Sequence, residues 1–186
     1  MALRKEQEKL YTVDEFLELP DVPEYAELID GVIYDMAPPD LRHQRISGNV
    51  FFAIKSYIVK NKGKCELFSA PTGVKLGKKK LVEPDVFVVC DPDKLKEKYC
   101  SGAPDWVIEI VSPSNSAHDY IDKLKLYSEH GVKEYWIVDP NGERVIVYIF
   151  EQPNLIGFYT FDDDIPVWIY RDEPEQLSIC INSLLS

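Results

Sequence analysis

Two acids stand at the ends of short apolar runs. Asp85 follows Glu83 and Pro84 and leads into Val86, Phe87, Val88 and Val89. Glu109 lies inside Trp106, Val107, Ile108, Ile110 and Val111. An ionised carboxylate beside such a run is costly unless a positive group meets it. A divalent cation is a natural partner, because Mg²⁺ takes hard oxygen ligands and is often held by one or two carboxylates. Asp85 and Glu109 would then be its ligands, with the backbone carbonyl of Ile110 as a third contributor. Such a cation lowers the pKa of a bound water and polarises a phosphoryl oxygen. A lysine nearby, from a helix that follows, can orient that water or balance developing charge. The arrangement points to metal-assisted hydrolysis. The residues alone leave a plainer reading open: Asp85 after a proline could simply begin a strand, and Glu109 could face solvent by alternation.

Both acids need strands to hold them, and the residue types supply these, since β-branched and aromatic residues crowd runs of strand length. Upstream, Tyr11 to Leu19 reads as a short helix opened by Thr12, with Glu15 completing a capping box. Pro20 and Pro23 stop it. Glu27 to Tyr34 reads as a hairpin turning at Asp30-Gly31. After Pro38 and Pro39 a helix from about Leu41 to Val59 carries Ile46, Val50, Ala53, Ile54, Tyr57 and Ile58 at helical spacing. A strand is expected near Cys65 to Leu76, then a lysine-rich turn and the Asp85 strand. Asp91 to Pro104 reads as a polar connection with a short helix around Lys94 to Lys98. The Glu109 strand leads through Ser112, Pro113, Ser114, Asn115 and Ser116 to a helix from Ala117 to His130, ended by Gly131. Glu134 to Val138 and Arg144 to Phe150 form a hairpin, and short strands with turns follow. The order predicts an α/β protein, a mixed sheet flanked by helices. No Gly-x-Gly-x-x-Gly follows a strand and there is no P-loop, which disfavours a dinucleotide or nucleotide fold.

At 186 residues, 45% hydrophobic and 28% charged, the composition is that of a globular protein with a substantial core. No apolar run reaches the roughly 18 residues of a membrane span. The N-terminus, with Arg4, Lys5, Glu6, Glu8 and Lys9, lacks the apolar stretch of a signal peptide, so a cytoplasmic location is expected. The four cysteines form no Cys-x-x-Cys pair and read as free thiols. The net charge of −11 sits awkwardly with nucleic acid, whose binding rests on Lys and Arg meeting phosphates. The clusters Lys60, Lys62, Lys64 and Lys75, Lys78, Lys79, Lys80 read as solvated loops rather than a phosphate track.

The pattern resembles the PD-(D/E)XK nuclease superfamily and, more closely, the Uma-two family of restriction-endonuclease-like proteins. The matching stretches are Tyr25-Ala26-Glu27-Leu28-Ile29-Asp30-Gly31, Arg42-His43-Gln44-Arg45-Ile46, Ala70-Pro71-Thr72, Glu83-Pro84-Asp85-Val86, Glu109-Ile110-Val111-Ser112-Pro113-Ser114 and Gly131 to Pro140. Each is weak alone; their number and order carry the match. The resemblance implies a single restriction-endonuclease-like domain over residues 1–186, with its core at about 11–150 and further strands over 151–186. It implies Mg²⁺-dependent phosphodiester cleavage, with Mn²⁺ able to substitute, acting on DNA, with no membrane partner. It implies a homodimer too, because cutting both strands of a duplex calls for two sites. A catalytically silent binding module on the same fold is the competing expectation, and the net acidity favours it.

In residue terms the resemblance assigns Asp85, Glu109, Lys123 and Glu27 to catalysis, and Asp85, Glu109 and Ile110 to the metal. Glu27 matches the family's first acid, with an exposed edge-strand carboxylate as its plainer reading. His43 is placed at the phosphate or the site rim, or else on polar surface. One departure stands out: the motif's lysine belongs two residues after Glu109, where this chain has Val111, and Lys123 on the following helix occupies the family's alternative place. Helix geometry favours Lys123 over Lys125. With Tyr120 at zero, Leu124 falls near ~40° and Tyr127 near ~340°, so the buried face centres at about 20°. Lys123 then lies roughly 80° from that centre and Lys125 roughly 120°. Tyr120, Leu124 and Tyr127 read as core.

Overall fold

Thr12 opens the first helix, α1 (Val13–Leu17), through the expected capping box. Its hydroxyl accepts from the Glu15 amide, and a Glu15 carboxylate oxygen accepts from the Thr12 amide at 2.7 Å. The computed structural model of the chain describes residues 9–23, 25–111, 117–152 and 155–185. Strands β1 (Ala26–Ile29) and β2 (Val32–Asp35) form the hairpin, and both turn residues, Asp30 (φ 51°) and Gly31 (φ 86°), take the positive φ that a tight hairpin turn needs. Helix α2 (Leu41–Lys60) starts at Asp40, whose carboxylate accepts from the His43 amide. It buries His43, Ile46, Val50, Ile54 and Ile58, one stripe at three- and four-residue spacing.

The middle of the chain holds β3 (Glu66–Ser69), β4 (Gly73–Lys75), β5 (Leu81–Val82), β6 (Val86–Val89), β7 (Tyr99–Ser101) and β8 (Trp106–Ile110). The single strand expected over Cys65 to Leu76 is two strands in different sheets, divided at the cis Ala70-Pro71 bond, because a proline cannot donate to a continuous ladder. The short helix expected around Lys94 to Lys98 is replaced by one 3₁₀ turn at Pro92–Lys94 and by β7. Helix α3 (Ala117–His130) ends at Gly131, whose φ of 91° suits the left-handed cap. The loop expected at Ser112 to Ser116 lies outside the described residues.

Then come β9 (Glu134–Asp139), β10 (Arg144–Ile149), β11 (Leu155–Thr160), β12 (Ile165–Pro166), β13 (Ser178–Ile179) and α4 (Ile181–Leu185), the last unforeseen in the sequence. The main sheet has the order β11-β10-β9-β8-β6-β3, with only the β8–β9 pair parallel. A second sheet, β2-β1-β5-β4-β7, and a β12–β13 ribbon complete it, so two mixed sheets stand where one was expected.

Alternation along the central strands decides what faces what. Val86, Val88, Trp106, Ile108 and Ile110 join the α2 residues in one apolar cluster. Phe87, Val89 and Val107 join Leu126 and Tyr127 of α3 in the other. The antiparallel register Val86↔Ile108, carried one residue further, sets Asp85 opposite Glu109. Both then share the side of Phe87 and Val107.

The same register logic corrects the cysteine expectation. Glu66 pairs with Val89, which brings the next residues out, Cys65 and Cys90, face to face, and they form a disulfide. Their separation of 25 residues held no signal of this, because the pairing belongs to the sheet. Cys100 and Cys180 are free. Among the described residues no helix is long and apolar enough to cross a membrane.

Candidate active site

Glu109 sits in the middle of the main sheet, on a strand buried along its whole length. Its Oε1 accepts from Lys123 Nζ at 3.0 Å and from the Tyr127 hydroxyl at 2.6 Å. Lys123 and Tyr127 lie four residues apart on α3, one above the other, so a single helical face delivers both donors. Lys123 Nζ also donates to Glu27 Oε1 at 3.0 Å, which ties the hairpin of the second sheet to the centre of the first. The backbone amide of Glu83 donates to that same Glu27 oxygen at 3.0 Å. Asp85, one residue before β6, receives the Ile110 amide at 2.7 Å on Oδ2, and His43 Nε2 lies 3.1 Å from the same oxygen. A carboxylate only accepts, so Nε2 carries the proton of that bond.

These groups surround a cavity of about 470 Å³ lined by Glu83, Asp85, Glu109, Ile110, Lys123 and His43, with walls that include Tyr25, Met36, Phe51 and Pro71. Lys123 is the one lysine or arginine among its described lining residues.

Burial shapes the electrostatics. Removal from water pushes the Glu109 carboxyl up to about 7, with Asp85 and Glu27 adding to the rise while Lys123 and Tyr127 oppose it. Burial, then the charge of Glu27, pushes Glu83 up to about 7. Burial pulls Lys123 down, yet Glu109 and Glu27 outweigh it and hold the ammonium well above the ordinary lysine range. His43 is likewise pulled down by burial and raised further by its bond to Asp85 and that acid's charge.

The donor set suits a hard divalent cation. Glu27, Glu83, Asp85 and Glu109 gather near one ammonium, which touches Glu27 and Glu109. A cation would favour the ionised forms of Glu83 and Glu109, the two acids that burial raises to about 7. On Asp85 and Glu109 one oxygen is taken by protein donors, and the other accepts nothing from a described residue. Among the described residues no three His, Cys, Asp or Glu side chains are placed to hold a metal ion together. A shortage of side-chain ligands fits Mg²⁺, which keeps several waters and takes substrate phosphate oxygens.

The structure thus brings Asp85, Glu109, Lys123 and Glu27 together, with Ile110 beside them and His43 against Asp85. Lys125 points away, exposed and 3.8 Å from Glu129. Lysines of the two basic clusters are tied to acids, Lys60 to Glu175, Lys75 to Asp14 and Lys80 to Asp30. Sequence reasoning missed the contacts of Tyr127 and Glu83. Tyr127 is fully buried, as a core residue should be, but its hydroxyl needs a partner there, and its four-residue spacing from Lys123 was the available signal.

The family model described as "Uma2: Putative restriction endonuclease" matches residues 13–167. A Synechocystis protein named slr1290, described as uncharacterized, is 28% identical over 124 residues, which cover 66% of this chain and 64% of that protein. A crystal structure described as a putative nuclease belonging to DUF820, from Anabaena variabilis, is 28% identical, with a TM-score of 0.76 over 93% of this chain and 96% of that one.

Proposed function

The chain belongs to the Uma2 family and has a restriction-endonuclease-like fold, and from that premise we propose that it is a divalent-metal-dependent nuclease hydrolysing phosphodiester bonds in DNA. The observation that carries this reading is the meeting of Asp85, Glu109 and Lys123 at one cavity. Asp85 and Glu109, with the Ile110 carbonyl, would hold Mg²⁺ or Mn²⁺. When bound, that ion supplies a more acidic water and a polarised phosphoryl oxygen.

The chain's own residues do the rest. Lys123 stays protonated between two acids, so it cannot serve as a base; its charge steadies the negative charge that grows on the phosphate oxygens. Glu27 accepts a second bond from the same ammonium and helps to fix it. The Ile110 amide holds Asp85 from within the sheet. The fold thereby supplies prearranged charge, which costs no reorganisation at the moment of reaction. Two such chains on one duplex would cut both strands, so the reading includes a homodimer.

A second reading, a silent binding module, draws on the net charge of −11 and on Lys123 being the one lysine or arginine among the described residues lining the cavity. Supercoiled plasmid incubated with the protein and Mg²⁺ or Mn²⁺ separates the two. Nicked or linear product, abolished by chelator and by Asp85→Asn, is expected. Intact plasmid with both metals would favour the silent module.

A further inference from the structure

Among the described residues each candidate ligand carboxylate is held by two donors, both on the same oxygen. Asp85 Oδ2 takes the Ile110 amide at 2.7 Å and His43 Nε2 at 3.1 Å. Glu109 Oε1 takes Lys123 Nζ at 3.0 Å and the Tyr127 hydroxyl at 2.6 Å. Asp85 Oδ1 and Glu109 Oε2 accept no bond from a described residue. To chelate one ion with both oxygens, either carboxylate would have to turn and give up two charge-assisted hydrogen bonds. Such bonds are roughly twice as strong as neutral ones, so each acid is preset to offer a single oxygen.

Resting on the metal reading above, we infer that His43 and Tyr127 are positioning residues that fix Asp85 and Glu109 as one-oxygen ligands and so select a small octahedral cation over Ca²⁺. Mg²⁺ and Mn²⁺ accept an octahedral set in which each carboxylate gives one oxygen, whereas Ca²⁺ gathers more oxygens and readily takes carboxylates in bidentate fashion. The two clamps suit this task because neither can swing away. Tyr127 is fully buried and packs edge-on against Tyr135, with ring centroids 4.9 Å apart. The His43 ring is buried too, and its other nitrogen, Nδ1, is enclosed without a partner among the described residues. Nδ1 is therefore not offered to a substrate phosphate, and Nε2 is spent on Asp85. His43 then acts on the site through Asp85 rather than by touching the phosphate.

The test is titration of Mn²⁺ and of Ca²⁺ into the substrate-free protein, followed calorimetrically, with melting temperatures recorded alongside. The wild type should bind Mn²⁺ more tightly than Ca²⁺. Tyr127→Phe and His43→Leu should each bind Mn²⁺ roughly tenfold more weakly, the usual cost of removing an outer-shell partner, while Ca²⁺ binding falls less, so that the preference shrinks. His43→Gln, whose amide can donate near the Nε2 position, should restore most of it. A merely structural role would lower the melting temperature and leave the Mn²⁺-to-Ca²⁺ ratio alone. An unchanged ratio in folded Tyr127→Phe and His43→Leu proteins overturns the inference while leaving the metal site standing. A wild type that binds neither ion brings down both.

Discussion

Lys123 answers to two acids at once, and that geometry changes what its removal should do. From the sequence, Lys123→Ala would be expected to remove activity with little loss of stability. With Glu27 2% exposed and Glu109 9% exposed, deleting the ammonium takes the shared cation from two buried acids, leaving Glu27 only the Glu83 amide and Glu109 only the Tyr127 hydroxyl among the described residues. Breaking a buried ion pair by removing one partner costs about 3–5 kcal/mol. Lys123→Ala should therefore lose both cleavage and a stability of that order in urea denaturation. Lys125→Ala, on an exposed helix face, should keep cleavage and stay within about 0.5 kcal/mol of wild type. Asp85→Asn is the cleaner inactive variant: an asparagine oxygen still accepts from the Ile110 amide, and one of several clustered like charges is gone. Its melting temperature should match or exceed that of wild type. That Asp85, Glu109 and Lys123 meet at one cavity was anticipated through the family resemblance, because the residues alone left both acids a plainer reading as a strand start and a solvent-facing position. The Tyr127 bond to Glu109 was not, because an aromatic at core spacing looks the same whether or not its hydroxyl finds a partner 18 residues away.

Elements with local signals appeared where the chain announced them: α1 through Thr12 and Glu15, the first hairpin through Asp30-Gly31, α3 through its cap at Gly131. What stayed hidden was pairing between distant strands. Nothing between Cys65 and Leu76 distinguishes one strand from two that part company into different sheets, and β7 is a three-residue strand made by its neighbour β4. The cross-strand disulfide has the same origin. It joins β3, at the edge of the main sheet, to β6, beside the candidate site. Closing a loop of its length limits the unfolded chain by about 3 kcal/mol. Cys65→Ser with Cys90→Ser should show a stability lower by that order in denaturant titrations. An unchanged midpoint relative to the oxidised wild type would rule the contribution out.

For the molecule as a whole, charge and pH meet at the opposite end of β9 from its turn. Glu134 is fully buried, accepting from Trp136 Nε1 at 2.7 Å and from the Ile169 amide at 3.0 Å. Burial, partly offset by these bonds, pushes its carboxyl up to about 7. A raised carboxyl favours the folded state while it remains protonated, so this contribution is full below about pH 4.5 and is lost as pH rises through about 7. A shift of this size is worth about 3 kcal/mol across that window. The unfolding free energy of wild type minus that of Glu134→Gln should fall by this order between pH 4.5 and 8; a flat difference would contradict it. Net acidity of −11 makes such control necessary, since self-repulsion also grows with pH. The parallel β8–β9 pair adds a consequence in time. Its crossover is α3, so the Glu109–Lys123 contact spans only 14 residues of chain, whereas Glu27 meets Lys123 from 96 residues away. Loop closure grows costlier with the interval closed. The acid and its lysine can therefore find each other within one strand-helix-strand unit, and Glu27 joins them when the remote hairpin docks, which makes the full charge cluster a marker of completed assembly.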